Sequence, residues 1–451
     1  MIFTKAEISY FRSFTDIQSI ELAVPDNEKI GSGITYIVGE NNSGKTTVIE
    51  GLLMSETRKI RSSELQGSHS PTFSLYSDIS LIRSFNLVRE GSSTLKEDPK
   101  IEKIDSFEGI SSRRQWGSGI TNNLKIDALG NHFIGKDPRQ QVSDQIISGA
   151  LKDIESDNVK YNGFLELVRR VVPEFKSFVI GFEDSEYIEY VTNNGVKHKS
   201  DFLGDGIISI LKILAHLFTG QTRPLIIDEP ELSLHPLSQK KLLKIIAEYS
   251  KQRQIILSTH SPYFISWEYI KNGAKLNKVT KYNDIKSEIF TLKDYSTYES
   301  LINGSNWQQP FLMDVVAKEI FFNDNILFVE GQEDVGLLKQ ENDIKDDVNM
   351  FGYGVRGKDS FKFALQLSKD LGIKKAGVIL DSGESEGQIK TELETLFPEY
   401  KVIQWNKGDI RDKEAYTSKV KEGYFDIRGR KKDAGNLDDY DEKIEVINSY
   451  F

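Results

Sequence analysis

The sequence predicts an α/β chain: a parallel sheet carrying an α+β insertion, followed by a second, smaller parallel α/β domain. Three observations carry this reading. Gly39-Glu-Asn-Asn-Ser-Gly44-Lys45-Thr46 sits between the apolar run Gly33-Ile-Thr-Tyr-Ile-Val38 and a helical pattern. Beyond Gly206, helical and apolar-strand segments alternate, the mark of a parallel sheet with crossover helices. A second series of the same kind begins near Asn325.

In chain order, residues 2–10 and 17–22 alternate apolar and polar residues as half-buried strands do, and residues 33–38 form a fully apolar strand. Residues 46–58 read as a helix. A mixed, Ser- and Gly-punctuated stretch of about 60–175 follows and reads as an insertion, with sheet expected over 73–88 and helix over 142–154 and 163–171. The pattern then gives sheet over 178–191, helix 207–218, strand 224–227, helix 236–249 and strand 254–257. In the second series, 326–329 and 376–380 are strands and 334–340 and 361–370 are helices. The expected organisation is a first domain over 1–300, a linker over 301–323 containing an amphipathic stretch from Pro310 to Phe322, and a second domain over 324–451.

With 451 residues the chain exceeds the length of about 250–300 at which one core usually stops growing, in line with two or more domains. Zero cysteines exclude disulfides, cysteine-ligated zinc and thiol nucleophiles. The first residues run straight into strand and no apolar stretch reaches about 18 residues, so a cytoplasmic protein with no membrane segment is expected. A net charge of −10 argues against a surface coated for nucleic acid but leaves room for a local basic groove. The basic clusters Arg113-Arg114 and Arg428-Gly-Arg-Lys431-Lys432 are read as solvated loops.

The segment 39–46 matches G-x-x-x-x-G-K-[ST] in its required strand-to-helix setting. Glycines at Gly39 and Gly44 let the backbone N–H groups of a loop containing Asn41, Asn42 and Ser43 face phosphate oxygens, beside the helix start at Lys45, Thr46 and Thr47. Lys45 is expected to reach the outer phosphates of ATP, and Thr46 to ligate Mg²⁺. The partner motif is Pro224-Leu-Ile-Ile-Asp228-Glu229-Pro-Glu231, a buried-type strand delivering carboxylates at its C-terminal end. Asp228 is the expected Mg²⁺ residue and Glu229 the group that polarises the attacking water. Ser258-Thr-His260-Ser261 follows another apolar strand, which brings an imidazole to the same sheet edge. No convincing glutamine loop emerges; Gln66 and Gln115 are candidates that the sequence does not separate.

In the second domain Glu330-Gly331 and Asp381 each end an apolar strand. Two strand-end acids on neighbouring parallel strands converge on one point, a geometry suited to a hard cation such as Mg²⁺ or Mn²⁺. The alternative is a pair of structural strand-end acids in a scaffold domain.

These motifs resemble a known superfamily: the ABC-type ATPases, in the branch holding SMC-like and OLD (overcoming lysogenization defect) proteins. Phe11-Arg12-Ser13-Phe14 resembles the opening strand-turn of that branch, Leu203-Gly204-Asp205-Gly206 a variant of its signature motif, and Ser233-Leu-His-Pro236 its D-loop. The resemblance makes Gly204 and Gly206 nucleotide-contacting residues of a head that dimerises around ATP, His260 the switch histidine, and a homodimer or higher homo-oligomer the expected assembly. Asp205 stands where a small neutral residue is commoner. The C-terminal domain resembles Toprim, the metal-dependent fold of topoisomerases, primases and OLD nucleases. Glu330 and Asp381 match its first two motifs, while Gly383 replaces the second acid of Asp-x-Asp, leaving Glu384 or Glu333 as substitutes. Asp409 and Asp412 match a third acidic segment, and Lys431 or Lys432 is the expected assisting lysine.

The resemblance therefore implies an ATP-regulated, metal-dependent endonuclease acting on DNA, similar to Gabija-type and retron-associated anti-phage nucleases. A second reading is an ATP-dependent sensor or scaffold with a degenerate Toprim domain that holds and releases a separate protein or nucleic-acid partner. A third, a transporter ATPase subunit, has no use for the C-terminal domain.

Overall fold

A computed structural model describes residues 2–57, 71–77, 80–87, 95–98, 107–110, 124–126, 132–134, 150–182, 186–199, 205–219, 223–282, 286–303, 317–352, 360–413, 421–433 and 437–451. The chain divides into two compact units, Met1–Ile289 and Phe290–Phe451. Among the described residues no helix is long and apolar enough to cross a membrane.

Unit 1 opens with β1 (Lys5–Ser9), β2 (Gln18–Glu21), β3 (Ile34–Val38) and α1 (Lys45–Thr57). Next come β4 (Thr72–Ser77), β5 (Ser80–Leu87), β6 (Leu95–Asp98), β7 (Glu108–Ile110) and the β8–β9 hairpin pair (Leu124–Ile126, His132–Ile134). Helix α2 (Asn158–Val171) precedes β10 (Phe175–Phe182), β11 (Glu186–Thr192) and β12 (Lys197–Lys199). The unit continues with α3 (Asp205–Phe218), β13 (Leu225–Asp228), α4 (Pro236–Tyr249), β14 (Ile255–Ser258), α5 (Trp267–Lys271), β15 (Lys275–Lys281) and β16 (Ser287–Thr291), the strand in which the division between units falls.

The central sheet has the order β16-β15-β3-β14-β13-β7, and the pairings from β15 to β7 are all parallel. Every residue of β3, β13 and β14 is buried. Strands covered on both faces need no polar alternation, which is why these read as short continuous apolar runs. A second sheet, β2-β1-β4-β5-β6, is antiparallel and packs its apolar side around Phe11, Phe14 and Phe73, with Val48 of α1 and Ile226 of β13 in the same core.

The stretch read as an insertion is thus woven into both sheets over residues 72–110. β4 pairs with β1, and β7 pairs in parallel with β13. A buried ion cluster fixes that last strand. Glu108 meets His216 Nδ1 at 2.5 Å and Arg253 at 2.6 Å, and Arg253 also donates to the His216 carbonyl at 2.8 Å. Burial alone would push Glu108 up; His216 and Arg253 hold it below the usual carboxylate range. Sheet over 73–88 and 178–191 and helix over 163–171 appear as β4–β5, β10–β11 and α2, whereas residues 142–149 of the helix expected over 142–154 lie outside the described residues.

Unit 2 holds α6 (Tyr295–Asn303), β17 (Asn325–Phe328), α7 (Gln332–Gln340), β18 (Asn349–Phe351), α8 (Phe361–Asp370), β19 (Lys375–Leu380), α9 (Glu384–Leu396), β20 (Lys401–Gln404) and α10 (Asp438–Tyr450). Its sheet, β18-β17-β19-β20, is parallel throughout. Trp405, just past β20, stacks on Tyr440 of α10 at 5.4 Å, and Tyr440 donates to Asp343 at 2.6 Å, which seats the last helix on the sheet. Residues 304–316, and with them most of the amphipathic stretch at 310–322, lie outside the described residues.

Candidate functional site

Parallel strands place their C-terminal ends along one edge of a sheet, and three neighbouring strands of unit 1 end in the residues picked from the sequence. β3 runs into the glycine loop, β13 ends at Asp228 and β14 at Ser258. The loop needs its unusual backbone: Gly39 (φ +141°), Asn42 (φ +61°) and Gly44 (φ +113°) lie in regions that side chains disfavour. A Cβ on Gly39 would stand 2.1 Å from the Val279 carbonyl oxygen, so no other residue fits there without moving β15.

Lys45 folds back along the loop and donates to the carbonyls of Gly39 (2.9 Å) and Glu40 (2.7 Å). Burial lowers its ammonium to about 8, against the pull of Glu229, Asp228, Glu231 and Glu40. Ser43 and Thr47 are buried, whereas Asn41, Asn42 and Thr46 are exposed on the loop's outer side. The Ser43 hydroxyl is buried with no hydrogen-bond partner among the described residues. A lysine ammonium ringed by backbone turns, an orphaned hydroxyl and a cradle that no Cβ could enter fit the phosphates of a nucleotide. The Phe11–Phe14 turn, closed by reciprocal backbone bonds of 3.1 and 3.0 Å, points Arg12 at Glu50 of α1 (2.5 Å).

Asp228 is buried at the end of β13. Glu229 then takes φ +47°, a left-handed turn for a non-glycine residue, and its carboxylate lies 3.5 Å from His260 Nε2. Burial, and secondarily the Lys45 charge, push His260 down to about 4, so the imidazole is neutral near pH 7. A neutral imidazole beside a carboxylate can accept or orient a hydrogen bond without neutralising that carboxylate's basicity. Of the signature, α3 starts at Asp205, and Gly206 packs so closely on the D-loop that a Cβ there would meet the Ser233 carbonyl at 2.4 Å. Gly204 lies outside the described residues, as do Gln66 and Gln115.

In unit 2, β17 and β19 are parallel neighbours, and the Asp381 amide donates to Glu330 Oε1 at 3.0 Å. Burial first, then Glu330, Asp409 and Asp334, push the Asp381 carboxyl up to about 8, opposed by Lys421. Asp334, in the first turn of α7, accepts from the Gly331 amide at 2.8 Å and is raised to about 6, chiefly by burial. The sequence reading missed Asp334, although an acid four residues after a strand-end glutamate was there to be seen. Asp409 is buried and meets Lys413 at 2.7 Å and Lys421 at 3.5 Å.

The remaining expected acids lie elsewhere. Asp412 binds Lys432 (2.7 Å) and the Gly423 amide (2.8 Å), Glu333 pairs with Arg411 (2.5 Å), and Glu384 is exposed at the start of α9. Lys431 is held by Asp343 at 3.2 Å and Lys432 by Asp412, so Lys413 and Lys421 face the acids instead of the two lysines expected. The charges of Glu330, Asp334, Asp381 and Asp409 would welcome a cation, yet among the described residues no three acidic side chains form a metal-holding group.

A family model described as "AAA domain, putative AbiEii toxin, Type IV TA system" matches residues 88–266, which include Asp228, Glu229 and His260. An endonuclease GajA of Bacillus cereus is 25% identical over 233 residues, 46% of this chain and 33% of that protein. An OLD nuclease of Thermus scotoductus is 32% identical over 127 residues, 27% of this chain and 23% of that protein. The match to each of these relatives spans a third or less of its length. The SMC head domain from Thermotoga maritima is similar at 18% identity and a TM-score of 0.38, covering 65% of this chain and 100% of that one. An Smc head domain with an extended coiled coil from Pyrococcus furiosus is similar at 14% identity and a TM-score of 0.45, covering 67% and 99%.

Glycine loop, strand-end Asp-Glu and loop histidine on one parallel-sheet edge, with the AAA-domain match, define the class, a P-loop ATPase domain. Within the matched stretches the chain is similar to proteins named OLD nuclease and endonuclease GajA.

Proposed function

We propose that the chain hydrolyses ATP at the head and that this cycle governs a metal-dependent endonuclease carried by unit 2, acting on DNA. The observation that carries the first half is the 3.5 Å approach of Glu229 and His260 beside buried Lys45. Bound Mg²⁺-ATP supplies the phosphoryl group and the cation that neutralises its charge. Lys45 and the loop amides would hold the phosphates, and Thr46 and Asp228 would hold the metal. Glu229 takes the proton of the attacking water, and neutral His260 orients that water or the γ-phosphate. Assembly of two heads around the nucleotide follows from the ABC-type reading, with Gly204 and Gly206 addressing the partner's nucleotide.

The nuclease half rests on the Toprim-like placement of Glu330 and Asp381 on adjacent strands, on the repulsion among Asp381, Asp334 and Asp409, and on the names carried by the relatives. Among the described residues these acids do not form a metal-holding group. A cytoplasmic role in defence against phage belongs to the same reading. The second reading, a sensor or scaffold that holds a partner effector, is favoured by Gly383 in the place of an acid and by Lys413 and Lys421 lying against Asp409.

The test is cleavage of plasmid and linear DNA with Mg²⁺ or Mn²⁺, with and without ATP. Cleavage by wild type and none by Glu330→Gln is the expected result, and Lys45→Ala gives the sign of ATP control. An intact ATPase with no cleavage in any condition selects the scaffold.

A further inference from the structure

Glu231, two residues beyond Glu229, has no assigned task in a phosphate site, yet both of its carboxylate oxygens are engaged by the loop that carries His260. Its Oε1 accepts from the His260 amide at 2.6 Å, and its Oε2 accepts from the Thr259 hydroxyl at 2.9 Å. One side chain leaving β13 thus holds both residues that leave β14. The chain of bonds continues. The Thr259 hydroxyl accepts from the Ser261 amide at 2.9 Å, the Ser261 hydroxyl donates to Gln239 Oε1 at 2.6 Å, and Gln239 Nε2 donates to the Leu234 carbonyl at 2.9 Å. The loop bearing His260 and the D-loop residue Leu234 are therefore tied through α4.

We propose that Glu231 is the positioning residue of the hydrolytic site: it holds the Thr259 hydroxyl and the His260 backbone amide so that the imidazole meets Glu229. This deepens the ATPase reading and rests on it. Three observations independent of one another support it. The contact to residue 260 is made to its backbone amide, so it sets where the loop lies whatever the side chain at 260. The Thr259 amide also donates to the Ile37 carbonyl at 3.1 Å, leaving the loop clamped between β3 and β13. Burial of a carboxylate is unfavourable unless it is satisfied, and Glu231 is held above the usual carboxylate range by that burial and by Glu229, a cost a mere surface acid would not bear.

A wholly structural role would act through folding, so the test separates the two. Glu231→Gln keeps an acceptor for the His260 amide and an amide that the Thr259 hydroxyl can accept from, whereas Glu231→Ala keeps neither. In Glu231→Ala, kcat for ATP falls about 100-fold, the loss expected when a reacting group shifts by about 1 Å, with KM within about threefold of wild type. Glu231→Gln restores most of the rate. Hydrogen exchange of the segment 258–262 is read alongside, because it needs no hydrolysis: protection is lost in Glu231→Ala, kept in Glu231→Gln, and unchanged elsewhere in unit 1. If the wild type hydrolyses no ATP, the ATPase reading fails while the exchange result still decides the placement of the loop. Unchanged protection in Glu231→Ala, or kcat and KM deteriorating together with a general loss of protection, overturns the proposal.

Discussion

In unit 1 a lysine is buried among carboxylates; in unit 2 carboxylates are buried among one another. Lys45 is lowered to about 8 by burial while Asp228, Glu229, Glu231 and Glu40 pull it back, so the head supplies its own counter-charges and is left with a cationic point at the glycine loop. Asp381 is raised to about 8 because Glu330, Asp409 and Asp334 add to its burial, with only Lys421 opposing. Both sites use the same device, strand ends brought to one edge by parallel pairing. What differs is the group held buried at each edge, an ammonium beside the glycine-loop amides in the first and a cluster of acids in the second, and hence the ligand each would favour: an anion in the first, a cation in the second.

The largest effect that tests this contrast is at Lys45. Lys45→Ala should weaken ATP binding at least about 100-fold, on the order of 3 kcal/mol for a charge-assisted contact, as measured by titration calorimetry. The melting temperature of the nucleotide-free protein should hold or rise, because the buried ammonium is retained at a cost. Undiminished affinity would mean that phosphate is not what the loop is built for.

A middle-sized effect of the opposite kind is expected in unit 2. Asp381→Asn removes a carboxyl from a like-charged, buried group without changing its shape, and should stabilise the metal-free protein by about 1–2 kcal/mol, a few degrees in melting temperature. The same substitution should end cleavage if the nuclease reading holds. A lower melting temperature would show that the Asp381 carboxylate is already compensated by Lys421, and the comparison between the two sites would lose its basis.

How far the sequence revealed these sites follows from the range of the forces involved. Strands β3, β13 and β14 are buried on both faces and announce themselves as apolar runs ending in Gly39, Asp228 and Ser258. Glu330 and Asp381 were legible for the same reason. By contrast β7 is three residues long, Glu-Gly-Ile, and exists because Glu108 finds His216 and Arg253 more than 100 residues away. Helix α9 buries Leu393, and its apolar stripe is only Ile389, Leu393 and Leu396 among ten other residues that are polar or glycine, too thin to mark a helix against a core. Glu231 looked like one more acid after a strand until the Thr259 and His260 contacts gave it a task. Lys413 and Lys421 lie on either side of residues 414–420, and nothing local marks them as the partners of Asp409 in preference to Lys431 and Lys432. Periodicity reports which face is buried; it does not report which distant charge will be found there.

The smallest effect expected at neutral pH is at His260, and it is informative because of its pH window. Its folded value is about 4 against an ordinary value near 6.5, so between those values the unfolded chain binds the proton and the folded one does not. Stability contributed through this group therefore rises with pH across about 4 to 6.5 and is flat above, with no contribution near pH 7. His260→Gln should remove that slope in denaturation curves at pH 4.5, 5.5 and 6.5 while leaving the pH 7.5 curve unchanged. The imidazole itself should titrate with a midpoint near 4 in the proton spectrum, where six histidines per chain leave its signal assignable. A midpoint near 6.5 would put His260 in water rather than between Glu229 and Lys45, and would detach it from the site that Glu231 is proposed to hold together.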